Sequence, residues 1–303
     1  MKRLFFLFIL CITLTAGQQL AAQLRYTIIP EAPRPGDPIT IGVNVPVKEA
    51  LLLVNGRQVA KASCFNVPVD GRPLGFNAAI ITVPSTIEAN EAVIRLMNER
   101  IISEISITIS PREFLSETIH LTPSLASLFV PNPQSQKEQE LLWEVAATTG
   151  NTIYHTGSFL LPITTERRTS RFGTRRVNQY PDGRRTTSIH AGVDFGAPTG
   201  TEVRACGRGL VKIARPIIIS GNSVIVEHAP GVYSIYYHLD SISIQEGAIV
   251  EAGGLLGLVG STGFSTGPHL HWELRVSTEN TDPDEFIRRP LIDKNLIISR
   301  ILN

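Results

Sequence analysis

"GPHLHWEL", residues 267–274, puts His269 and His271 one residue apart in a run that reads as a β-strand. Side chains along a strand alternate between its faces, so residues i and i+2 point the same way. Two imidazoles side by side make a poor apolar surface, but they are well suited to hold a metal ion or to serve a reacting group. The other reading makes one a loop cap and the other a hydrogen-bonded core residue, since histidine is often intermediate in burial. The surroundings bear on the choice. From about Arg167 onward, short apolar runs are punctuated by glycine: "TEVRACGRGLVKIA", "NSVIVEHAPG", "VYSIYYHLD", "AIVEAGGLLGLVGS" and "HLHWELRV". No long helix intervenes, and the pattern predicts an antiparallel β domain.

Five of the seven histidines fall in this region. "HAGVDFGAPTG" joins His190 to Asp194 four residues on. "YYHLDS" presents His238 at a strand end, with Tyr236 expected on the same face, and "GPHLHWEL" supplies His269 and His271. His228, before a Pro-Gly turn, is expected to be exposed, and His120 and His155 have no partners nearby in sequence. Imidazole and carboxylate suit Zn²⁺, and a catalytic zinc takes three protein ligands and keeps a fourth position open. One carboxylate with two neutral imidazoles leaves the site a net single positive charge. That keeps the ion a good Lewis acid, able to polarise a carbonyl and acidify bound water. The remaining imidazoles can move protons or steady a tetrahedral oxyanion. Spacing alone does not say which histidines ligate and which assist.

Competing motifs are weaker. "GFSTG", residues 263–267, fits the Gly-x-Ser-x-Gly elbow, but an elbow needs a strand before it and a helix after it, and here a strand follows. The glycines instead suit a loop that delivers His269. No His-Glu-x-x-His and no Cys-x-x-Cys occur, which excludes the helical zincin mechanism and a thiolate zinc site. Glu273 shares the face of His269 and His271, as a support for them or as a surface carboxylate.

The rest of the chain frames this domain. Residues 1–23 have a basic start (Lys2, Arg3), an apolar run from Leu4 to Leu14 and small residues up to Ala22, the pattern of a secretory signal peptide. The run is shorter than the roughly 20 residues a membrane-spanning helix needs, and no other stretch is a span candidate. Residues 24–110 alternate short apolar runs with turn signals, including Asn55-Gly56, and predict an immunoglobulin-like β-sandwich. Residues 111–165 read as a connector with one helix, "SQKEQELLWEVAATTG", for which Ser135 and Glu138 suggest a capping box and Gly150 a stop. Residues 166–290 form the histidine-bearing domain and 291–303 a tail. The formal charge is +1, and removing the leader leaves 26 basic against 27 acidic residues, a balance that argues against a nucleic-acid binder. Cys64 and Cys206 fall in different regions, and sequence alone does not fix whether they pair.

From about Ser170 to Asp284 the chain resembles the catalytic domain of LytM/lysostaphin-type zinc endopeptidases, which cut peptides of bacterial cell-wall peptidoglycan. The matching pieces are "SRFGTR", "HAGVDFGAPTGTEV", "GNSVIVEH", "YYHLDSI", "GSTGFSTGPHLHWEL" and "DPDEF", in the family's order and over more than a third of the chain. Departures are Gly253-Gly254, where a small residue and then a polar one are common, and Cys206 at a usually small, apolar position. The resemblance implies one Zn²⁺ held by His190, Asp194 and His271, with His238 and His269 as the catalytic histidines. It implies a mainly β protein, secreted to the periplasm or cell envelope, that hydrolyses stem peptides or cross-bridges of peptidoglycan. The arginines between Arg167 and Arg185 then read as a solvated face or as contacts to wall carboxylates. A different class is a non-catalytic or latent LytM-like regulator or wall-binding protein, for which ligand loss would be the sign. No protein partner is legible.

Overall fold

The computed structural model describes residues 23–70 and 75–302. The leader read over residues 1–23 lies outside the described residues except for Gln23. The chain is mainly β and its sheets are built largely from antiparallel pairs. Among the described residues no helix is long and apolar enough to cross a membrane.

The first two sheets have four strands each. One runs Tyr26–Ile29, Pro38–Val43, Phe76–Thr82, Phe65–Val67 in spatial order, the other Arg57–Ser63, Glu49–Val54, Glu91–Met97, Ile101–Thr108. Alternation drives their packing: in Glu91–Met97 the residues Ala92, Ile94 and Leu96 are buried while their neighbours are not. Ile39, Ile41, Leu52, Ile81, Ile94 and Leu96 fill the space between the sheets. Asn55 and Gly56 both take positive φ (51° and 75°), as a two-residue hairpin turn of the mirror-image type requires.

The second domain is a ten-stranded antiparallel sheet. Its main path runs Arg168–Ser170, Val193–Gly196, His269–Val276, Val232–Ile242, Gly221–Ala229, Gly209–Ile217, Ile249–Val250. Leu255–Val259 pairs with Val232–Ile242 and with Glu202–Arg204, so the sheet curls around its apolar face. Leu270, Trp272 and Leu274 point into that face and are fully buried, leaving His269, His271 and Glu273 on the other.

Residues 291–303, expected as a tail, carry the helix Lys294–Ile301. Asp293 caps it by accepting from the Leu296 N–H at 3.0 Å, and Ile297 and Ile301 are buried against the sandwich. A side chain at Gly42 would meet Ile297 at 2.6 Å, so that strand needs glycine where the helix lies on it. The two domains therefore share one apolar cluster, in which Phe76, Ala78 and Ile80 of the sandwich join Phe286, Leu291 and Ile297. Beside it, buried Asp37 and Asp282 both accept from Arg112 (3.1 and 2.5 Å), and Arg34 joins Asp37 to Glu285.

The connector holds more structure than one helix. Strand Ser116–His120 pairs in parallel with Arg175–Gln179, which pairs antiparallel with Arg185–Ile189. A short helix Pro123–Ser127 follows, then Pro133–Ala147. The cap of the longer helix is Asn132, not Ser135. Pro133 biases the residue before it towards extended backbone and suits the first helical position, which needs no N–H. Asn132 Oδ1 accepts from the Ser135 N–H (2.9 Å), and Ser135 Oγ reaches back to the Asn132 N–H. Glu138 is left free to accept from the Ile218 N–H at 2.8 Å. Leu141, Leu142 and Val145 lie on Ile213, Ile217, Ile225, Tyr233 and Ile235 of the large sheet.

Candidate metal centre

Sheet register brings the site together. Asp194 stands directly opposite His271, and Gly196 opposite His269, in the antiparallel pair Val193–Gly196 with His269–Val276. His190 reaches the same spot because the chain passes close to the strand at Gly192, where a Cβ would meet the Trp272 carbonyl oxygen at 2.2 Å. His190 Nε2 lies 3.1 Å from Asp194 Oδ1 and 3.0 Å from His271 Nδ1, and His271 Nδ1 lies 2.7 Å from Asp194 Oδ1. All three side chains are buried.

The outer nitrogens set the tautomers. His190 Nδ1 faces the Arg171 carbonyl at 2.9 Å, and His271 Nε2 faces Glu273 Oε1 at 3.0 Å. A carbonyl and a carboxylate only accept, so those nitrogens carry the protons. The inner nitrogens then offer lone pairs towards a carboxylate oxygen, and three acceptors this close need a cation among them. Two imidazoles and one carboxylate, each held from behind, form a donor set that fits a metal ion. In the metal-free protein a proton takes that place. Burial alone would lower His271, but the hydrogen bonds and charges of Asp194 and Glu273 raise it to about 9. Burial likewise favours a neutral Asp194, and the bonds from His190 and His271 outweigh it and hold the carboxyl well below its usual range. The Tyr237 ring stacks on His271, with centroids 5.7 Å apart and planes at 9°.

His238 enters from the neighbouring strand through a β-bulge. Asn222 pairs with Leu239 and Val224 with Tyr236, so Tyr237 and His238 together oppose Ser223 alone. His238 takes φ 63°, a left-handed conformation rare outside glycine and frequent where function holds a residue in place. The bulge breaks strand alternation, which corrects the expectation that Tyr236 shares its face. Tyr236 is buried in the core, where its Oη accepts from the Cys206 N–H and from Ser234 Oγ, both at 2.9 Å. His238 Nδ1 is tied to the Thr262 carbonyl at 2.8 Å, and His269 Nδ1 to the Gly267 carbonyl at 2.8 Å. Each carbonyl takes the Nδ1 proton, so in the neutral form of each ring Nε2 is the lone-pair nitrogen. Burial, with His271 and His269 alongside, pushes His238 down to about 3, so its imidazole is neutral. The His238 and His269 rings are 4.8 Å apart, and His269 Nε2 is 3.7 Å from Asp194 Oδ1.

The five residues line one groove of about 260 Å³, with Ile119, Ile189, Ile219 and Phe264 as its apolar walls. Ser265 Oγ donates to the Gly267 carbonyl at 2.8 Å and shapes the loop before His269. His228 is fully buried rather than exposed. Its Nε2 meets Ser234 Oγ at 2.7 Å and Nδ1 the Arg208 carbonyl at 2.9 Å, while the Tyr154 and His155 amides of the connector donate to its carbonyl and cover the turn. Neither His120 nor His155 lines the groove, and His155 stacks on Phe159. Cys64 and Cys206 are free thiols, and burial pushes both up to about 12.

Sequence reasoning missed two residues at the site. Arg176 Nη2 donates to Asp194 Oδ2 at 3.0 Å, and Arg176 Nε to Glu117 Oε1 of the connector strand at 2.5 Å. Arg176 stood out only as one of many arginines, and Glu117 carried no signal. Several of those arginines serve internal contacts: Arg175 lies over the Phe114 ring at 4.3 Å, and Arg168 pairs with Asp284 at 2.7 Å.

Residues 188–283 match the model of Peptidase family M23. Over 135 residues the chain is 39% identical to the DD-carboxypeptidase/endopeptidase Mpg of Neisseria meningitidis, a stretch that is 44% of this chain and 30% of that protein. Over 107 residues it is 40% identical to the peptidoglycan DD-endopeptidase ShyA of Vibrio cholerae, covering 35% of this chain and 24% of that protein. The chain thus spans less than a third of the length of these curated relatives. A crystal structure from Pseudomonas aeruginosa described as a peptidase M23 is similar with a TM-score of 0.59 at 21% identity, over 84% of this chain and 94% of that one, a likeness of fold. Sheet and sequence match agree, and residues 188–283 are a peptidase M23 domain.

Proposed function

We propose that the protein is a zinc-dependent endopeptidase that hydrolyses peptide bonds in peptidoglycan stem peptides or cross-bridges, working outside the cytoplasmic membrane, in the periplasm or cell envelope. The observation that carries this reading is the convergence of His190 Nε2, Asp194 Oδ1 and His271 Nδ1 within 3.1 Å of one another beneath two further imidazoles. A bound zinc ion supplies Lewis acidity for the carbonyl and the attacking water. The chain's own residues do the rest. His238 and His269, each fixed through Nδ1, present a free Nε2 to the groove, one to take the proton of the attacking water and the other, once protonated, to donate to the developing oxyanion. Glu273 holds the His271 tautomer from behind. The names of the relatives matched over this domain support peptidoglycan as the substrate, and the basic and apolar start of the chain supports export.

A second reading, latency, is favoured by one contact. Phe129, between the two connector helices, packs edge-on against Phe264 of the groove wall with ring centroids 4.8 Å apart. In that reading the connector restricts entry of a polymeric substrate. The test is digestion of purified sacculi, with and without a zinc chelator, followed by separation of the released muropeptides. New chelator-sensitive peptide fragments are expected. Intact sacculi with zinc present, together with cleavage of short soluble muropeptides, would point to latency, and no cleavage of either would reject the enzyme reading.

A further inference from the structure

We propose that Glu117 and Arg176 form a relay that positions Asp194 as a one-oxygen ligand, so that the connector strand Ser116–His120 sets the affinity of a centre whose ligands all lie elsewhere. This rests on the metal reading above. The two oxygens of Asp194 have different surroundings: Oδ1 faces His190 and His271, while Oδ2 accepts from Arg176 Nη2 at 3.0 Å. A guanidinium on Oδ2 keeps the carboxylate from turning to chelate an ion through both oxygens. It also brings a positive charge next to a cation, which taken alone opposes binding. Glu117 answers that charge from the far side, with Oε1 at 2.5 Å from Arg176 Nε.

The relay reaches a second ligand. Ser170 Oγ accepts from Arg176 Nη2 at 2.9 Å, donates to Glu117 Oε1 at 3.1 Å and lies 3.2 Å from His190 Nδ1. Arginine suits this position because one planar fork reaches Glu117, Ser170 and Asp194 at once, which a lysine ammonium on its flexible stem does not. Sheet register supplies the geometry: Arg176 stands opposite Glu117 in the parallel pair, on the same face. The Arg176 and Asp194 side chains are 16% and 10% exposed, so their contact is little screened by water. Glu117, Ser170 and Arg176 all lie outside the matched stretch 188–283. Arg176 lines the groove, but its bonds go to Asp194, Ser170 and Glu117, so Arg176 and Glu117 act through a ligand and are positioning residues.

The test uses the full chain as wild type, Glu117→Gln, Arg176→Lys and the double variant. Zinc dissociation constants are measured by competition with a chromophoric chelator, and the visible spectrum is recorded with cobalt(II) in place of zinc. Each single variant is expected to bind zinc about ten- to a hundred-fold more weakly, as loss of a partner behind a metal ligand does. Because both act through one contact, the double variant should be no weaker than the worse single one. The cobalt spectrum should lose intensity as Asp194 chelates through both oxygens. Glu117→Gln keeps the size of a partly exposed side chain, and an unchanged Tm of the metal-free chain separates positioning from loss of fold. Zinc affinity and cobalt spectra of Glu117→Gln indistinguishable from wild type would overturn the relay, as would fully additive losses. A wild-type chain that binds no zinc would overturn the metal reading and the relay together, a result visible before any variant is compared.

Discussion

At the scale of single residues, the tautomer of each imidazole is set by what stands behind it. Two carbonyls fix His238 and His269 with Nε2 free, and Arg171 and Glu273 turn the lone pairs of His190 and His271 inward. The imidazoles themselves stood out in the sequence, because His269 and His271 two apart on a strand and His190 four before Asp194 are short-range patterns, but the groups behind them did not. His228 was not legible, because what buries it is the Tyr154–His155 segment, more than 70 residues away in the chain. Its burial has a consequence for stability. The folded core holds His228 at about 3, where the ordinary value is 6.5. Below pH 6.5 the unfolded chain therefore takes up a proton that the folded one refuses. The stability tied to the neutral ring is whole above pH 6.5 and is lost as the pH falls towards 3, at up to about 1.4 kcal/mol per pH unit. A His228→Gln variant is expected to be less stable at pH 7 yet to lose less stability between pH 7 and 5 than wild type, measured by urea midpoints. Equal slopes would contradict this assignment.

At the scale of elements, local rules predicted strands well and their irregularities poorly. Alternation in "HLHWEL" placed the core face and the site face, but nothing in "VYSIYYHLD" marks the bulge that separates Tyr236 from His238. That bulge is set by pairing with Gly221–Ala229, not by the strand's own residues. Strand Ser116–His120 has no apolar run and exists because Arg175–Gln179 offers it a partner. The helix Pro133–Ala147 was legible from its apolar stripe, but its cap was misplaced because Pro133 shifts the start to Asn132. Asn132→Ala should cost about 1 kcal/mol, read from the urea midpoint. A Ser135→Ala change is expected to cost less, since Asn132 makes the cap's primary bond. The reverse order would restore Ser135 as the cap.

At the scale of the whole molecule, the sandwich, the connector and the histidine-bearing sheet are joined through the apolar cluster and the Arg34–Asp37–Arg112–Asp282 ion pairs. Ile297, fully buried on the terminal helix, belongs to that shared core. Ile297→Ala is expected to cost about 2–5 kcal/mol and to lower the melting of both domains together. Independent melting of the M23 domain at its wild-type temperature would show that the two cores are separable. The same connectedness puts Phe129 against Phe264 of the groove wall. Phe129→Ala should raise the rate on intact sacculi several-fold and leave the rate on short soluble muropeptides unchanged, as muropeptide release over time would show. No change on sacculi would remove the connector as a restriction.

In the proposed mechanism the five site residues divide the labour: three hold the ion and two act on the substrate. Zinc content and hydrolytic activity, measured side by side for His271→Ala and His269→Ala, test it most directly. The predicted result is a split, with His271→Ala losing zinc and activity together and His269→Ala keeping most of its zinc while activity collapses. Stoichiometric zinc in His271→Ala, or full activity in His269→Ala, would contradict it.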